Sequence, residues 1–237
     1  MGKVLEIAKM IDHSLLHPTL TDEELELGCQ LARKLNVASV CIKPYAVKLA
    51  VEKLKDSDVA VGTVIGFPHG NSKIDVKIFE AEQACKDGAI ELDVVVNIGK
   101  VLSEDWEYIE KEIGAIITVS KKYNTIVKII FENDLLSDDH YKIKLCEICS
   151  KFNVDYIKTS TGYGFVKGEN GKYSYKGATD HDLKLMRDHS SKEVKIKAAG
   201  GVRTLNDVLR VKEIGVTRIG ATATEIIIKE AKIKFKD

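Results

Sequence analysis

The sequence predicts an α/β chain closed into a single (β/α)8 TIM barrel with an extra N-terminal helix. Three observations carry that expectation. Apolar, β-rich runs alternate with amphipathic helical runs eight times along the chain. The strand runs have continuous apolar cores, the pattern of a parallel sheet covered by helices. The length, 237 residues, is ordinary for one such barrel and long for most other domains. No linker-like stretch divides the chain, so residues 1–237 read as one domain.

The elements follow in order. A helix over about Lys3–Lys9 leads into the first strand at Met10-Ile-Asp-His-Ser-Leu15. Thr21-Asp-Glu-Glu24 is a capping box, and Leu27, Leu31 and Leu35 carry that helix forward at i, i+4 spacing. Ala38–Lys43 is the second strand, and Pro44 opens the next helix, where its missing N–H costs nothing. Val47, Ala50, Val51 and Leu54 form that helix's apolar face. Val59–Phe67 is the third strand, followed by a helix with Ile74, Ile78, Ala81 and Cys85 as its buried stripe. Ile90–Asn97 is the fourth strand, and Ser103 is expected to cap the long helix carrying Trp106, Ile109, Ile113 and Ile116.

Ile126–Glu132 is the fifth strand, with a cysteine-bearing helix after Ser137. Asp155-Tyr-Ile-Lys-Thr is the sixth strand, and Thr179 starts its helix. Val194–Gly201 is the seventh strand, with Thr204-Leu-Asn-Asp207 capping the helix behind it. Arg218–Thr222 is the eighth. Between Gly164 and Lys176 the pattern breaks, and Asn170-Gly171 between Val166 and Tyr173/Tyr175 signals a β-hairpin. It follows strand six, on the face where barrel enzymes hold their active sites. A solvated insertion and a functional loop are both open readings of it.

Composition excludes several classes. Lys+Arg and Asp+Glu balance at 36 each, so no global field favours nucleic acid or an anionic membrane. The first residues are too polar for a signal peptide and no apolar run reaches membrane-spanning length, which suits a cytoplasmic protein. Five scattered cysteines suit a reducing compartment. Cys146 and Cys149 have the spacing of a metal or redox pair, but they fall on the apolar face of a helix with no second ligand pair. The core-helix reading is the better one.

Strand parity locates the chemistry. Successive side chains point to opposite sheet faces. Lys158 sits between Ile157 and Thr159, Lys197 between Ile196 and Ala198, and Asp93 between Leu92 and Val94. If the apolar neighbours face the helices, all three point into the barrel, and Asp12, Cys41 and Lys128 fit the same scheme. A barrel interior is normally packed with branched apolar side chains. Two lysines with one carboxylate do not neutralise as a structural ion pair. Two ammonium groups about 5 Å apart at an effective dielectric near 20 repel by about 3 kcal/mol, which favours one neutral, nucleophilic amine. Such an amine attacks an aldehyde or ketone to form a Schiff base, whose protonated imine is an electron sink for making or breaking a carbon–carbon bond. Asp93 is placed to move protons.

Glycines mark the other end of the substrate. Thr161-Gly162, Gly200-Gly201 and Gly220 lie at the ends of three neighbouring strands, where backbone N–H groups and helix N-termini bind phosphate. Thr222 adds a hydroxyl.

Five motifs then resemble deoxyribose-phosphate aldolases over about residues 10–225. They are Lys158-Thr-Ser-Thr-Gly162, Lys197-Ala-Ala-Gly-Gly-Val-Arg203, Val61-Gly-Thr-Val-Ile-Gly-Phe-Pro68, Glu91-Leu-Asp93 with Asn97-Ile-Gly99, and Ile11-Asp-His13. The resemblance implies a metal-free, cofactor-free class I aldolase that cleaves 2-deoxy-D-ribose 5-phosphate to glyceraldehyde 3-phosphate and acetaldehyde. It implies Lys158 as the Schiff-base lysine, Lys197 and Asp93 as proton carriers, and Asp12 and Cys41 at the substrate. It also implies a phosphorylated sugar as the partner and a possible homodimer. The sequence departs from the family pattern at His69, at Ala223 and in the 164–176 insertion. Other readings are a Schiff-base aldolase for another deoxy- or keto-sugar phosphate, a metal-dependent aldolase using His13 and His17, and a non-catalytic phosphosugar-binding barrel.

Overall fold

The computed structural model describes residues 2–168 and 170–236. The chain begins with α1 (Lys3–Ala8), β1 (Ile11–Leu15), α2 (Asp22–Leu35), β2 (Ser39–Ile42) and α3 (Val47–Lys53). It continues with β3 (Ala60–Ile65), α4 (Ile74–Lys86), β4 (Glu91–Val95), α5 (Ile98–Leu102), α6 (Trp106–Tyr123) and β5 (Ile126–Ile130). Then come α7 (Asp139–Lys151), β6 (Tyr156–Lys158), the short strands β7 (Val166–Lys167) and β8 (Tyr173–Ser174), and α8 (Asp180–Asp188). The last elements are β9 (Lys195–Ala199), α9 (Leu205–Glu213), β10 (Arg218–Ala221) and α10 (Thr224–Phe235). Strands β1, β2, β3, β4, β5, β6, β9 and β10 pair in parallel in that order, and β10 returns to β1 to close the barrel. The expected (β/α)8 barrel is therefore the observed architecture, with α1 as the additional N-terminal helix, packed against α10.

Local chemistry accounts for where the helices begin. Thr21 and Thr204 each complete a capping box, with Glu24 and Asp207 returning the bond to the cap backbone. Thr179 caps α8 by accepting from the Asp182 N–H. Cys146 and Cys149 lie buried in the core on α7, and burial pushes the Cys146 thiol up to about 12. That environment keeps a thiol protonated and inert.

Four local expectations fail. Leu27 is exposed on α2, whose buried residues are Leu25, Gly28, Cys29 and Ala32. Ser103 ends α5 rather than starting the long helix, whose N-cap is Asp105, because the chain makes an extra helical turn after β4. Val51 is exposed on α3, not buried. On α4 the fully buried long side chain is Lys77, whose Nζ donates to Glu112 at 2.6 Å and to the Val95 carbonyl at 2.7 Å. An apolar-face count overlooks such a lysine because its burial depends on a carboxylate from another helix. No helix among the described residues is long and apolar enough to cross a membrane.

The 164–176 segment does form a hairpin. Val166 pairs with Ser174 and Lys167 with Tyr173 in an antiparallel ladder. It rises from the C-terminal end of β6. Its return leg is anchored by Asp134, whose carboxylate accepts from the Lys176 N–H at 2.5 Å and the Gly177 N–H at 2.9 Å.

Candidate active site

The register of neighbouring strands assembles the charged interior. Asp93 on β4 lies beside Lys128 on β5, and Lys158 on β6 lies beside Lys197 on β9. Asp93 Oδ2 accepts from Lys158 Nζ at 2.7 Å and from Lys197 Nζ at 2.7 Å. Its other oxygen lies 3.1 Å from Lys128 Nζ. Lys197 Nζ also reaches Asp12 Oδ2 at 2.5 Å. Towards the N-terminal ends of the strands, Lys128 binds Glu91 and lies 3.1 Å from Asp12. Arg218 binds Asp12 at 2.5 Å and Glu91 at 3.2 Å. Every member but Arg218 is at most 3% exposed.

This arrangement changes the expected pairing. Lys158 and Lys197 are neighbours, but they are bridged by one carboxylate oxygen instead of standing as an isolated repelling pair. Burial alone would raise the Asp93 carboxyl; the Lys128, Lys158 and Lys197 ammoniums override it and hold Asp93 well below the usual carboxylate range. Burial alone would lower the Lys197 amine, but Asp12 and Asp93 reverse that, and Lys197 is held above its ordinary value. Lys128 is held well above its own by Asp12, Asp93 and Glu91 against the same burial cost. Four cationic groups, Lys128, Lys158, Lys197 and Arg218, face the three carboxylates Asp12, Glu91 and Asp93. Fully protonated, the cluster carries one excess positive charge. Burying unbalanced charge costs several kcal/mol, so the cluster as a whole favours the loss of one proton.

A cavity of about 500 Å³ opens above these groups at the C-terminal ends of the strands. Its walls include Lys158 and Lys197 and all eight residues expected around the substrate, namely Asp12, Cys41, Thr161, Gly162, Gly200, Gly201, Gly220 and Thr222. Asp93 lies beneath the surface of the cavity, joined to it through the two lysines. The Cys41 thiol is 4.0 Å from Asp93 Oδ2, and burial, then the Asp93 charge, push it up to about 11. It is therefore a neutral wall group. Gly200 and Gly177 meet backbone to backbone: a Cβ on Gly177 would stand 2.6 Å from the Gly200 carbonyl oxygen.

Glu132, at the end of β5, holds the turn after Lys158. Its carboxylate accepts from the Thr161 N–H at 3.1 Å and from the Thr161 hydroxyl. Gly164 passes so close that a Cβ there would lie 2.5 Å from the Glu132 carboxyl carbon. Nothing in the local sequence marked Glu132, because its partners come from the next βα unit. Glu91 and Arg218 were legible: they stand two residues before Asp93 and Gly220, on the same strand face. Ser14, two residues after Asp12, lines the cavity for the same reason.

The two histidines four apart do not converge. His13 is buried and shares a 2.8 Å hydrogen bond with the Thr224 hydroxyl, whereas His17 is held by Thr19 at the cavity mouth. Burial pushes His13 down to about 4 from an ordinary 6.5. The unfolded chain therefore binds a proton that the folded chain refuses between those values, so stability falls as pH falls through this window. At about 1.36 kcal/mol per unit the loss approaches about 3 kcal/mol. In urea unfolding at pH 7 and pH 4.5, His13→Asn is expected to lose correspondingly less stability than the parent. An identical loss in both proteins would refute that assignment.

Comparison with known proteins agrees with this architecture. The family model described as DeoC/LacD family aldolase matches residues 6–223. A protein from Rhodopirellula baltica named deoxyribose-phosphate aldolase is 49% identical over 96% of this chain and 90% of its own length. One of the same name from Caldanaerobacter subterraneus is 45% identical over 97% of this chain and 95% of its own. Among solved structures, the tetrameric deoxyribose phosphate aldolase from Aeropyrum pernix superposes with a TM-score of 0.85 at 26% identity, covering 100% of this chain and 94% of that one. The aldolase QR15 superposes with a TM-score of 0.84 at 32% identity, covering 95% of each chain. A barrel whose motifs, length and fold all match in this way belongs to the DeoC/LacD family of aldolases.

Proposed function

We propose that this chain is a class I aldolase that cleaves 2-deoxy-D-ribose 5-phosphate to D-glyceraldehyde 3-phosphate and acetaldehyde through an imine on Lys158. One observation carries the reading: Lys158 Nζ stands at the cavity floor, 2.7 Å from a carboxylate oxygen that a second lysine shares at the same distance. The names of the curated relatives support the substrate.

The neutral Lys158 amine adds to C1 of the open-chain sugar phosphate, and the resulting C1 hydroxyl takes a proton delivered from Lys197 and leaves as water, giving the protonated imine. Loss of the C3 hydroxyl proton breaks the C2–C3 bond. The bonding pair passes into the imine, giving an enamine of acetaldehyde and free glyceraldehyde 3-phosphate. Protonation of the enamine at C2 and addition of water at C1 release acetaldehyde and restore the amine. Lys197 and Asp93 form the proton path, since Asp93 touches both amines and Lys197 is the charged donor beside Lys158. The phosphate is held by the glycine-rich turns at Gly162, Gly200-Gly201 and Gly220 with Thr161 and Thr222, and Arg203 adds a cation to that wall. Asp12 and Cys41 border the sugar.

Acetaldehyde with borohydride is expected to reduce the imine to a stable ethyl adduct that mass mapping places on Lys158, while a chelator leaves turnover unchanged. Turnover that stops in chelator, with no adduct formed, would overturn the Schiff-base reading. Turnover on a panel of other deoxy- and keto-sugar phosphates fixes the substrate.

A further inference from the structure

The hairpin that interrupts the barrel pattern places two aromatic rings at the active cavity. Phe165, on the leg leaving β6, and Tyr175, on the returning leg, both line it. Their rings meet edge to face, with centroids 5.2 Å apart and planes at 90°, so each leg fixes the other's ring. Tyr175 lies against the glycine turn: a Cβ built on Gly200 would sit 3.3 Å from the ring. The leg carrying Tyr175 is held at its foot by Asp134 and by the bond from the Ala178 N–H to the Gly200 carbonyl at 3.1 Å. The leg carrying Phe165 is held by the Tyr163 N–H donating to the Thr161 hydroxyl at 2.9 Å. Both feet are therefore tied to the turns expected to hold phosphate.

Phe165 is 47% exposed beside this cavity. A large ring half open to water at a cavity mouth has surface left for an occupant to cover. Rings beside a turn of backbone donors also keep water off it, which strengthens each N–H to phosphate bond in the lower local dielectric. We infer that Phe165 and Tyr175 form an aromatic wall that closes the phosphate end of the cavity and sets specificity for phosphorylated substrates. This rests on the aldolase reading for its substrate, but the wall acts through binding and not through the imine.

Calorimetric binding of 2-deoxy-D-ribose 5-phosphate, its KM, and acetaldehyde–borohydride trapping on Lys158 are compared in the parent, in the Phe165→Ala/Tyr175→Ala double variant and in Tyr175→Phe. In the double variant Kd and KM are expected to rise about tenfold or more, a range that loss of pocket contacts commonly covers. Trapping, which involves no phosphate, is expected to fall much less. Tyr175→Phe, which keeps the ring, is expected to stay within a few-fold of the parent. An unchanged Kd in the double variant overturns the wall, and so does an equal loss in binding and trapping. A parent that binds the sugar phosphate, loses binding in the double variant and yields no adduct upholds the wall and overturns the Schiff-base chemistry instead.

Discussion

Lys158→Ala is expected to lower kcat for retro-aldol cleavage by on the order of 10⁵-fold or more, the scale seen when a covalent nucleophile is removed. No other amine replaces it. Lys197 is the next candidate at the cavity, but its Nζ is bound by Asp12 at 2.5 Å and Asp93 at 2.7 Å, and those carboxylates keep it a charged, non-nucleophilic group. Binding of the sugar phosphate should survive, because the glycine turns at Gly200-Gly201 and Gly220 lie on other strands. Steady-state turnover, calorimetric binding and thermal unfolding of the purified variant check the three parts. Unchanged turnover in Lys158→Ala would remove the basis of the mechanism.

Asp93→Asn should damage catalysis and fold together. Asp93 is wholly buried and is approached by three ammoniums, at 2.7, 2.7 and 3.1 Å. Removing its charge leaves four cations facing the two carboxylates Asp12 and Glu91. Breaking a buried ion pair on one side costs about 3–5 kcal/mol, and loss of a positioned proton carrier costs roughly 10²–10⁴-fold in kcat. The sign of the pH response follows from the same charges. Asp93 is one of the charges that hold Lys128 and Lys197 above their ordinary values, so it contributes stability that the parent loses as pH rises through the alkaline range and that the variant already lacks. Urea unfolding at pH 7 and pH 9 should therefore show the deficit shrinking at the higher pH. A variant as stable as the parent at pH 7 would show that Asp93 does not balance the cluster.

The barrel itself was legible because its evidence is local. Strand runs, helix stripes and the caps at Thr21, Thr179 and Thr204 each follow from residues within one or two turns of each other. The hairpin around Asn170-Gly171 belongs with them, since a short glycine-containing turn between two strand runs declares itself in a few neighbouring positions. Parity along single strands likewise picked out Asp12, Asp93, Lys128, Lys158 and Lys197. The same rule reached Glu91 and Arg218, which were passed over because they stand at strand starts rather than in the middle.

The lysines' partners were not legible. Asp12 and Lys128 are 116 residues apart and meet only because β10 closes onto β1. Lys77 is buried for a comparable reason: Glu112 arrives from another helix. Glu132 acquires its role from Thr161, and the hairpin acquires its place at the cavity from Asp134 and Gly200.

By itself, then, the sequence determined the eightfold alternation, the inward-facing lysines and carboxylates, and the glycine turns beside them, since each depends on a backbone period or a local bond. Only the tertiary structure decided that Asp93 bridges Lys158 and Lys197 within a seven-group cluster, and that two rings of the hairpin line the same cavity as the glycine turns. Those facts depend on barrel closure, which sets distances between residues that share no local pattern.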